Sequence, residues 1–307
     1  MRKIMVGTRR SQLAFWQAQF VGERLRDAHS DIDVELVGIT TKADQTHKTP
    51  LSTEGGKGLF LKELEEALLR DQIDIAVHSM KDVPATLPAG LHIPVICERG
   101  DPRDVLISHS VLNLSALSKN SKVGTSSLRR QCLILRLAPD ASVVPIRGNV
   151  QRRLEQLDQG KFDALILAAA GLRRLGLEDR IGEVLCVQDM LPAVGQGAIG
   201  IECRIDNEAV NQIIQPLNHL PTEIRLRAER AASSALNSNC HSPVAFYAEL
   251  GDGQLHLRGM VGAPDGKEVL FVEERGSEKY PESVGEKAAE ALRGLGAERI
   301  LSRAQIS

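Results

Sequence analysis

A Lys-Asp pair stands where a predicted buried strand opens into a turn. Residues 77–88 have the sequence VHSMKDVPATLP, in which Lys81 and Asp82 directly follow the apolar segment. In open α/β sheets, ligands bind at the carboxyl ends of strands, and the free N–H groups at helix starts favour anions. Similar polar groups follow other predicted strands, in TRRS at 8–11, TSSLRR at 125–130 and RGN at 147–149. Together the four stretches predict a cleft that binds carboxylates or phosphates, although helix capping would explain any one of them.

Arginine is concentrated in one part of the chain. The sequence holds 26 Arg and 12 Lys, and residues 129–174 contain eight Arg and one Lys. A guanidinium group presents a planar fork that matches a carboxylate or phosphate, whereas the lysine ammonium is a point charge. The formal net charge is only -2, so we expect a local anion site and no general attraction to nucleic acid or membranes. Solvated helix faces are the alternative explanation.

Asp82 is an unexpected neighbour for these cations. A carboxylate close to arginines should keep its negative charge at neutral pH. It would repel an anionic ligand unless it met a positive charge or a hydrogen-bond donor. The sequence therefore predicts a ligand with carboxylates at its rim and a cation or N–H group at its centre. A surface pair between Lys81 and Asp82, or a helix cap, is the alternative.

The five cysteines favour a reducing compartment. They are odd in number and widely spaced, which argues against a disulfide framework and against a metal site. Four lie in apolar surroundings, but Cys240 lies in the polar stretch ALNSNCHSPVAF, where a lone cysteine is usually incidental. We find no signal-peptide pattern and no run of roughly 18 apolar residues. We therefore expect a cytoplasmic protein without metal, membrane or nucleic-acid partners.

Two segments of the chain alternate strand and helix patterns. In the first 100 residues the predicted strands are KIMVG, VELVGI and IDIAVHS, and the predicted helices are SQLAFWQAQFVGERLRDA, with Ser11 as N-cap, and GLFLKELEEALLR. The pattern restarts near Asp104 with strands VLIS, KVGT, VVPI and ALILAAA and helices SSLRRQCLILRLA and NVQRRLEQLDQG. AIGIECR at 198–204 adds a strand. This alternation predicts α/β architecture with mostly parallel sheets.

The last 90 residues have a different pattern. After a predicted helix at 222–236, the segments VAFYAEL, QLHLRGMVGA and EVLFVEERG alternate apolar and polar residues and are separated by GDG and APDG. They predict a three-stranded antiparallel sheet in a smaller α+β region. A final helix at 281–295 would cover it. The long polar stretch at 40–58 is expected to be a functional or mobile loop.

Eight motifs in order show a resemblance to a known family. They are GTRRSQLAFWQA, GGKGLFLKELEEALL, AVHSMKDVP, ICERGDPRD, VGTSSLRRQ, IRGNVQRRL, AAAGLRRLGL and LPAVGQGAIGIECR, and the Cys240 loop follows them. Over nearly its whole length the chain resembles the porphobilinogen deaminases, also called hydroxymethylbilane synthases. The resemblance implies a monomeric transferase of tetrapyrrole (haem) biosynthesis. Such an enzyme joins four porphobilinogen molecules head to tail, releases ammonia at each step and finally releases hydroxymethylbilane by hydrolysis.

The resemblance also implies a covalent cofactor and a set of site residues. The chain would grow on a dipyrromethane held by a thioether to Cys240, and Asp82 would be the catalytic carboxylate beside the pyrrole N–H groups. Arginine forks would pair with the acetate and propionate groups of the substrate. The implied cofactor-binding residues are Cys240, Ser79, Lys81, Asp82, Thr125, Ser127, Arg129, Arg130, Arg147 and Gly148. The implied substrate-binding residues are Arg9, Ser11, Gln17, Arg147, Arg153, Arg174 and Gln196.

The family fold implies three domains. Residues 1–97 with 198–215 would form one lobe and 98–197 a second, both similar to periplasmic binding proteins. Residues 216–307 would form the smaller domain that carries the cofactor cysteine. The loop at 40–58 would act as a lid over the site.

Three departures from the family pattern leave alternatives open. Ser238 and Asn239 replace two glycines before the cysteine, Thr53 followed by Glu54 replaces a loop lysine, and Gln12 replaces a proline without expected harm. Serine adopts the left-handed conformation less readily than glycine, so we expect an altered cofactor loop. A family member that has lost activity is therefore one alternative. A two-lobed carboxylate-binding protein is the other, although it does not explain Asp82, the third domain or the missing export signal.

Overall fold

The computed structural model describes residues 2–41, 61–111, 113–239 and 242–304. These residues fall into two compact units, Met1–Gly100 with Ala198–Glu223 and Asp101–Gly197 with Ile224–Ser307. The division into three domains stays a prediction.

The strands of the described residues alternate with helices through most of the chain. The strands are β1 (Arg2–Arg9), β2 (Ile32–Ile39), β3 (Ile75–Ser79), β4 (Leu91–Ile96), β5 (Asp104–Ser108), β6 (Lys122–Gly124), β7 (Ser142–Val144), β8 (Ala164–Ala168), β9 (Glu183–Val184), β10 (Ile199–Arg204), β11 (Val244–Gly251), β12 (Gln254–Gly262) and β13 (Val269–Ser277). The helices are α1 (Gln12–Ala28), α2 (Lys62–Leu69), α3 (Leu128–Leu137), α4 (Val150–Asp158), α5 (Ala169–Arg174), α6 (Glu208–Ile214), α7 (Leu220–Ala235), α8 (Pro281–Gly294) and α9 (Ala297–Ala304).

The first unit is built on a five-stranded sheet in the order β2-β1-β3-β10-β4. β1 pairs in parallel with β2 and β3, whereas β10 runs antiparallel to β3 and β4. Apolar residues of α1, among them Ala18, Val21 and Leu25, pack on one face, and those of α2, such as Leu64 and Leu68, form a core with the other. Helices on both faces explain why the strands are continuous apolar runs. The predicted N-cap is confirmed, since Ser11 Oγ accepts a hydrogen bond from the Ala14 N–H.

The second unit contains a five-stranded sheet and a three-stranded sheet. The first has the order β7-β6-β8-β5-β9, with β6 parallel to β7 and β8 and with β5 antiparallel to β8 and β9. β11, β12 and β13 form the predicted antiparallel sheet. A buried core joins that sheet to α7 and α8. The two helices approach so closely that a Cβ on Gly285 would collide with the carbonyl oxygen of Ala228. The predicted fold class, with mixed, mostly parallel sheets and a separate antiparallel sheet, is confirmed.

Some predicted boundaries were wrong. The segment ALILAAA was predicted as one strand, but β8 ends at Ala168 and α5 begins at Ala169. β7 ends at Val144 because Pro145 cannot donate a ladder hydrogen bond. β4 was not predicted from the sequence, because its central Pro94 weakens the strand pattern.

Candidate functional site

The catalytic candidate Asp82 lies at the carboxyl end of β3. The strand ends at Ser79 and passes into a single 3-10 turn, Met80–Asp82. Met80 is buried and anchors this turn, because its N–H donates to Ala198 O at 3.0 Å and its carbonyl accepts from the Val83 N–H at 3.2 Å. Lys81 and Asp82 remain partly exposed. The predicted strand-to-turn transition therefore places both side chains where a ligand could reach them.

A cavity of the first unit brings five predicted site residues together. Its volume is about 440 Å³, including space open to solvent. The predicted residues that line it are Arg9, Ser11, Gln17, Ser79 and Asp82. They come from the end of β1, the start of α1 and the end of β3. Two of the stretches singled out in the sequence therefore meet at one edge of the sheet.

The amide of Gln17 fixes the end of β3 from the neighbouring helix. Gln17 is 3% exposed, and its Nε2 donates to Ser79 Oγ at 2.8 Å, while Ser79 Oγ lies 3.2 Å from Gln17 Oε1. These contacts hold α1 and β3 in one arrangement below the cavity. Gln17 therefore supports Ser79, in addition to any contact with a ligand.

In the second unit, two of the predicted arginines pair with a buried carboxylate. Arg129 Nη1 donates to Asp104 Oδ2 at 2.7 Å, and Arg130 Nη2 donates to Asp104 Oδ1 at 2.7 Å. Asp104 is fully buried, and the arginines are 3% and 6% exposed. Burial alone would raise the pKa of Asp104, but the two adjacent positive charges hold it well below its usual range. The sequence signal for this pairing was an aspartate at the start of the apolar strand DVLIS, which was not recognised.

The same carboxylate organises further predicted residues. Gln196 Nε2 donates to Asp104 Oδ1 at 2.9 Å and to Pro102 O at 2.6 Å. Arg174 Nη2 donates to Gly197 O at 2.6 Å, next to Gln196 in the chain. Asp104 thus ties the predicted residues Arg129, Arg130 and Gln196 into one buried network.

The remaining predicted residues of this unit lie at helix starts. Ser127 Oγ caps α3 by accepting from the Arg130 N–H, and Thr125 Oγ1 accepts from the Ser127 N–H at 3.2 Å. Gly148 has a φ of +106°, which favours glycine, and its carbonyl accepts from Arg153 Nε at 2.8 Å. Arg147 is exposed. The hydroxyls therefore serve as caps here, while Arg147 remains accessible to an anion.

Ser238 and Asn239, which precede the predicted cofactor cysteine, do not adopt the left-handed conformation. Cys240, Thr53 and residues 42–58 of the predicted lid at 40–58 lie outside the described residues. Before Cys240, however, the residue with positive φ is Asn237, at +51°, whereas no positive φ is found at Ser238 or Asn239. Ser238 Oγ donates to Ser233 O at 3.0 Å, at the end of α7. Asn237 adopts the left-handed conformation, which asparagine tolerates, so Ser238 does not need to. An altered loop at Cys240 itself stays a prediction.

The other cysteines offer little reactivity. Cys97, Cys132 and Cys203 are buried, and Cys186 is exposed. Burial raises the pKa of the Cys132 and Cys203 thiols to about 12, which suppresses the nucleophilic thiolate. Within the described ranges, no cluster of three or more His, Cys, Asp or Glu side chains could hold a metal ion. No helix in those ranges is long and apolar enough to cross a membrane.

Replacing Asp104 by asparagine is expected to lower the free energy of unfolding by about 3–5 kcal/mol, because it leaves two buried guanidinium groups without their counter-charge. Urea denaturation measures this loss. Asp158→Asn is the control, since it disrupts a surface pair with Arg180 and should cost less than about 1 kcal/mol. Because the native pKa of Asp104 is lowered, its contribution is present above the unfolded pKa and is lost as the pH falls. Equal effects of the two variants would contradict this assignment.

The fold and these residues define an α/β protein with cationic and carboxylate groups at its strand ends. The family model described as porphobilinogen deaminase, dipyromethane cofactor binding domain, matches residues 4–212. The model described as porphobilinogen deaminase, C-terminal domain, matches residues 224–294. The chain belongs to the porphobilinogen deaminase family.

Solved structures with some similarity are periplasmic binding proteins. The methionine-binding protein MetQ has a TM-score of 0.46 and 16% identity, covering 69% of this chain and 89% of its own. A TRAP solute-binding protein from Desulfovibrio salexigens has a TM-score of 0.44 and 11% identity, covering 71% and 72%. The aliphatic sulphonate binding protein SsuA from Escherichia coli has a TM-score of 0.42 and 15% identity, covering 77% and 71%.

Family membership defines the activity and the cofactor. The enzymes of this family are transferases of tetrapyrrole biosynthesis, and the matched first domain binds dipyrromethane. The donors of this chain fit such a group, because a dipyrromethane built from porphobilinogen carries carboxylates and N–H groups. Arg9 and Ser11 can meet the carboxylates, and Asp82 can accept the N–H bonds. In addition, the buried Nε of Arg129 has no hydrogen-bond partner among the described residues.

Proposed function

We propose that this chain performs the family reaction with Asp82 as its catalytic carboxylate and Cys240 as the thioether attachment point. The observation that carries the proposal is the shared cavity of Asp82, Arg9 and Ser11, which combines an acceptor for N–H groups with donors for carboxylates. When bound, the dipyrromethane supplies the pyrrole carbon on which the product chain grows. Release of ammonia upon incubation of the purified protein with porphobilinogen tests this function.

Asp82 would act on the reacting pyrrole. A carboxylate beside the ring nitrogen stabilises the positive charge that develops on the substrate when ammonia leaves, and it can assist proton transfer. The anchored turn Met80–Asp82 restricts where this carboxylate can lie. Lys81, its neighbour in the turn, would pair with a carboxylate of the cofactor, as would the hydroxyl of Ser79.

The arginines would divide into two groups. Arg9, Arg147, Arg153 and Arg174 would bind acetate and propionate groups, since they lie on partly or fully exposed positions. Arg129 and Arg130 are already bound by Asp104, so their main contribution would be to hold the segment from Thr125 to Arg130 in place. The unpartnered Nε of Arg129 remains a donor for the cofactor. Gln196, bonded to the same aspartate, and Gly148 would shape this half of the site.

Arg147→Leu is expected to impair cofactor assembly or chain growth, because it removes an exposed guanidinium group at a strand end. We expect a loss of about 1.5–3 kcal/mol in ligand interaction, or roughly 10- to 100-fold in kcat/KM. Arg152→Leu is the control, since it removes the same charge from a neighbouring exposed position and should change kcat/KM little. Normal loading and normal growth in Arg147→Leu would remove this arginine from the carboxylate-binding set.

The proposal also covers the domain division, the location and the oligomeric state of the protein. We propose three domains, 1–97 with 198–215, 98–197 and 216–307, in a cytoplasmic monomer that needs porphobilinogen and no nucleic-acid partner. A carboxylate-binding protein without catalysis would bind porphobilinogen and release no ammonia. An inactive family member would also release none, and neither alternative would carry the covalent adduct on Cys240.

A further inference from the structure

A buried imidazole-carboxylate pair lies behind the Asp82 turn. His78 of β3 and Glu202 of β10 are 4% and 0% exposed in their side chains, and His78 Nε2 lies 2.7 Å from Glu202 Oε2. In the antiparallel register His78 is opposite Gly200, and Ala76 is opposite Glu202. The two side chains therefore belong to the same face of the sheet, which is the face covered by α2.

A third titratable group comes from α2. Glu65 is 8% exposed, and its helix neighbours Leu64 and Ala67 pack in the same core as Ala76. The pKa of Glu65 is raised to about 7, mainly by burial and further by the negative charge of Glu202, while His78 opposes the shift. Two carboxyl groups and one imidazole thus share a small buried region.

Among the described residues, one carboxylate oxygen of this region has no hydrogen-bond donor. Glu202 Oε1 is buried and has no hydrogen-bond partner among the described residues. An unsatisfied buried acceptor is costly, and a carboxylate can only accept hydrogen bonds, whereas a carboxylic acid can donate one. A proton held on one of the two carboxyl groups would reduce the repulsion between them and provide a donor within the cluster. The arrangement therefore favours binding of a proton.

The cluster is directly connected to the catalytic turn. His78 precedes Ser79, and it is one of the residues that line the same cavity as Asp82. β10 also touches the turn, since a Cβ on Gly200 would collide with Met80 Sδ. The Met80 N–H donates to Ala198 O, just before β10. A shift of β10 or α2 would consequently reach the residues that hold Asp82.

Several other charged groups near α2 have partners outside the cluster. Arg204 of β10 donates to Leu68 O and pairs with Asp71, at the far end of the helix. On β1 Lys3 pairs with Glu35, and on β4 His92 Nε2 lies 2.7 Å from Asn211 Oδ1. The charged residues on α2 besides Glu65 are Lys62, Glu63 and Glu66. Of all these groups, only Glu202 and His78 act on the proton of Glu65.

We propose that Glu65, His78 and Glu202 form a proton-binding cluster that positions the segment from Ser79 to Asp82, and that its ionisation helps to set the pH range of turnover. The inference rests on the proposed catalytic role of Asp82. The three residues are positioning residues, because they act on the reaction through the turn. As the pH rises through about 7, Glu65 loses its proton and faces the carboxylate of Glu202. Because the native pKa of Glu65 is raised from 4.5 to about 7, its contribution to stability is complete below the unfolded pKa and is lost as the pH rises to about 7.

The test compares kcat and KM of the holoenzyme variants between about pH 6 and pH 9. We expect kcat of the wild-type protein to fall above pH 7, by up to about tenfold per pH unit, with little change in KM. Glu65→Gln should abolish this transition, because the titrating group is gone. Glu202→Gln should move it to lower pH, because the charge that raises the pKa of Glu65 is removed. Glu66→Gln, one residue away in α2 and half-exposed, is the control and should keep the wild-type profile.

A purely structural role would lower kcat in the variants without moving the transition. The proposal is overturned if Glu65→Gln and Glu66→Gln share the same profile. If Glu65→Gln does not fold, the pH dependence of the wild-type protein is the test. A kcat that is constant across pH 7, together with a stability that is constant between about pH 5 and pH 7, would also overturn the proposal. Asp82→Asn distinguishes a failure of the proposed function from a failure of the proposed cluster. Near-parental turnover in that variant would refute the role of Asp82 itself, whereas an inactive Asp82→Asn with unchanged Glu65→Gln profiles would refute the cluster alone.

Discussion

Asp82→Asn is expected to lower kcat by roughly 10²- to 10⁴-fold, the range associated with losing a general acid-base or charge-stabilising group. The amide has nearly the same shape as the carboxylate but carries no charge. It can no longer stabilise the cation on the substrate or accept a proton. The fold should be retained, because the turn is held by the backbone of Met80 and not by the side chain of Asp82. Steady-state ammonia release measures the effect.

The comparison needs a control for the loss of a carboxylate. Asp33→Asn removes a charge from an exposed position of β2 in the same unit, and we expect turnover close to that of the parent protein. The cofactor adduct should persist in Asp82→Asn, as seen by intact mass. Turnover within twofold of the parent in Asp82→Asn would remove this residue from the mechanism.

Cys240→Ser is expected to abolish the covalent adduct and, with it, nearly all turnover. A serine hydroxyl is far less nucleophilic than a thiolate and does not form a thioether. Without a covalent primer, chain growth has no fixed starting point, and we expect turnover at least about 10²-fold below that of the parent. Denaturing mass spectrometry measures the adduct, and the ammonia assay measures turnover.

Cys186→Ser is the matched control, because Cys186 is the exposed cysteine among the described residues. Its thiol donates to Asp189 Oδ2 at 3.0 Å, and this hydrogen bond to the carboxylate raises the pKa of Cys186, so it is a poor nucleophile. We expect full loading in Cys186→Ser. A normal adduct in Cys240→Ser would show that another residue carries the cofactor.

The sequence predicted features that depend on local patterns. The apolar run IAVHS followed by MKD correctly located the end of β3 and the turn with Asp82, because strand burial and turn formation both depend on residues that are adjacent in the chain. The three-stranded sheet was predicted equally well, since its GDG and APDG turns lie between alternating strands. Ser11 was recognised as a cap for the same reason.

Pairings between distant segments were not predictable in this way. Asp104 meets Arg129 and Arg130 across 25 and 26 positions of the chain, and His78 meets Glu202 across 124. Asp104, His78 and Glu202 are isolated polar residues in apolar strands, and only the tertiary fold brings each of them to its partner. A charged residue within an apolar strand, such as Glu202 in IGIEC, was the available signal. It indicates that a buried partner is needed, but it does not identify that partner.

The intact mass of the denatured wild-type protein tests the central claim most directly. A covalent dipyrromethane cofactor predicts an excess over the sequence mass equal to two linked pyrroles, and this excess should be lost in Cys240→Ser. A mass equal to that of the bare sequence, and unchanged after incubation with porphobilinogen, would contradict the proposed cofactor-loaded enzyme.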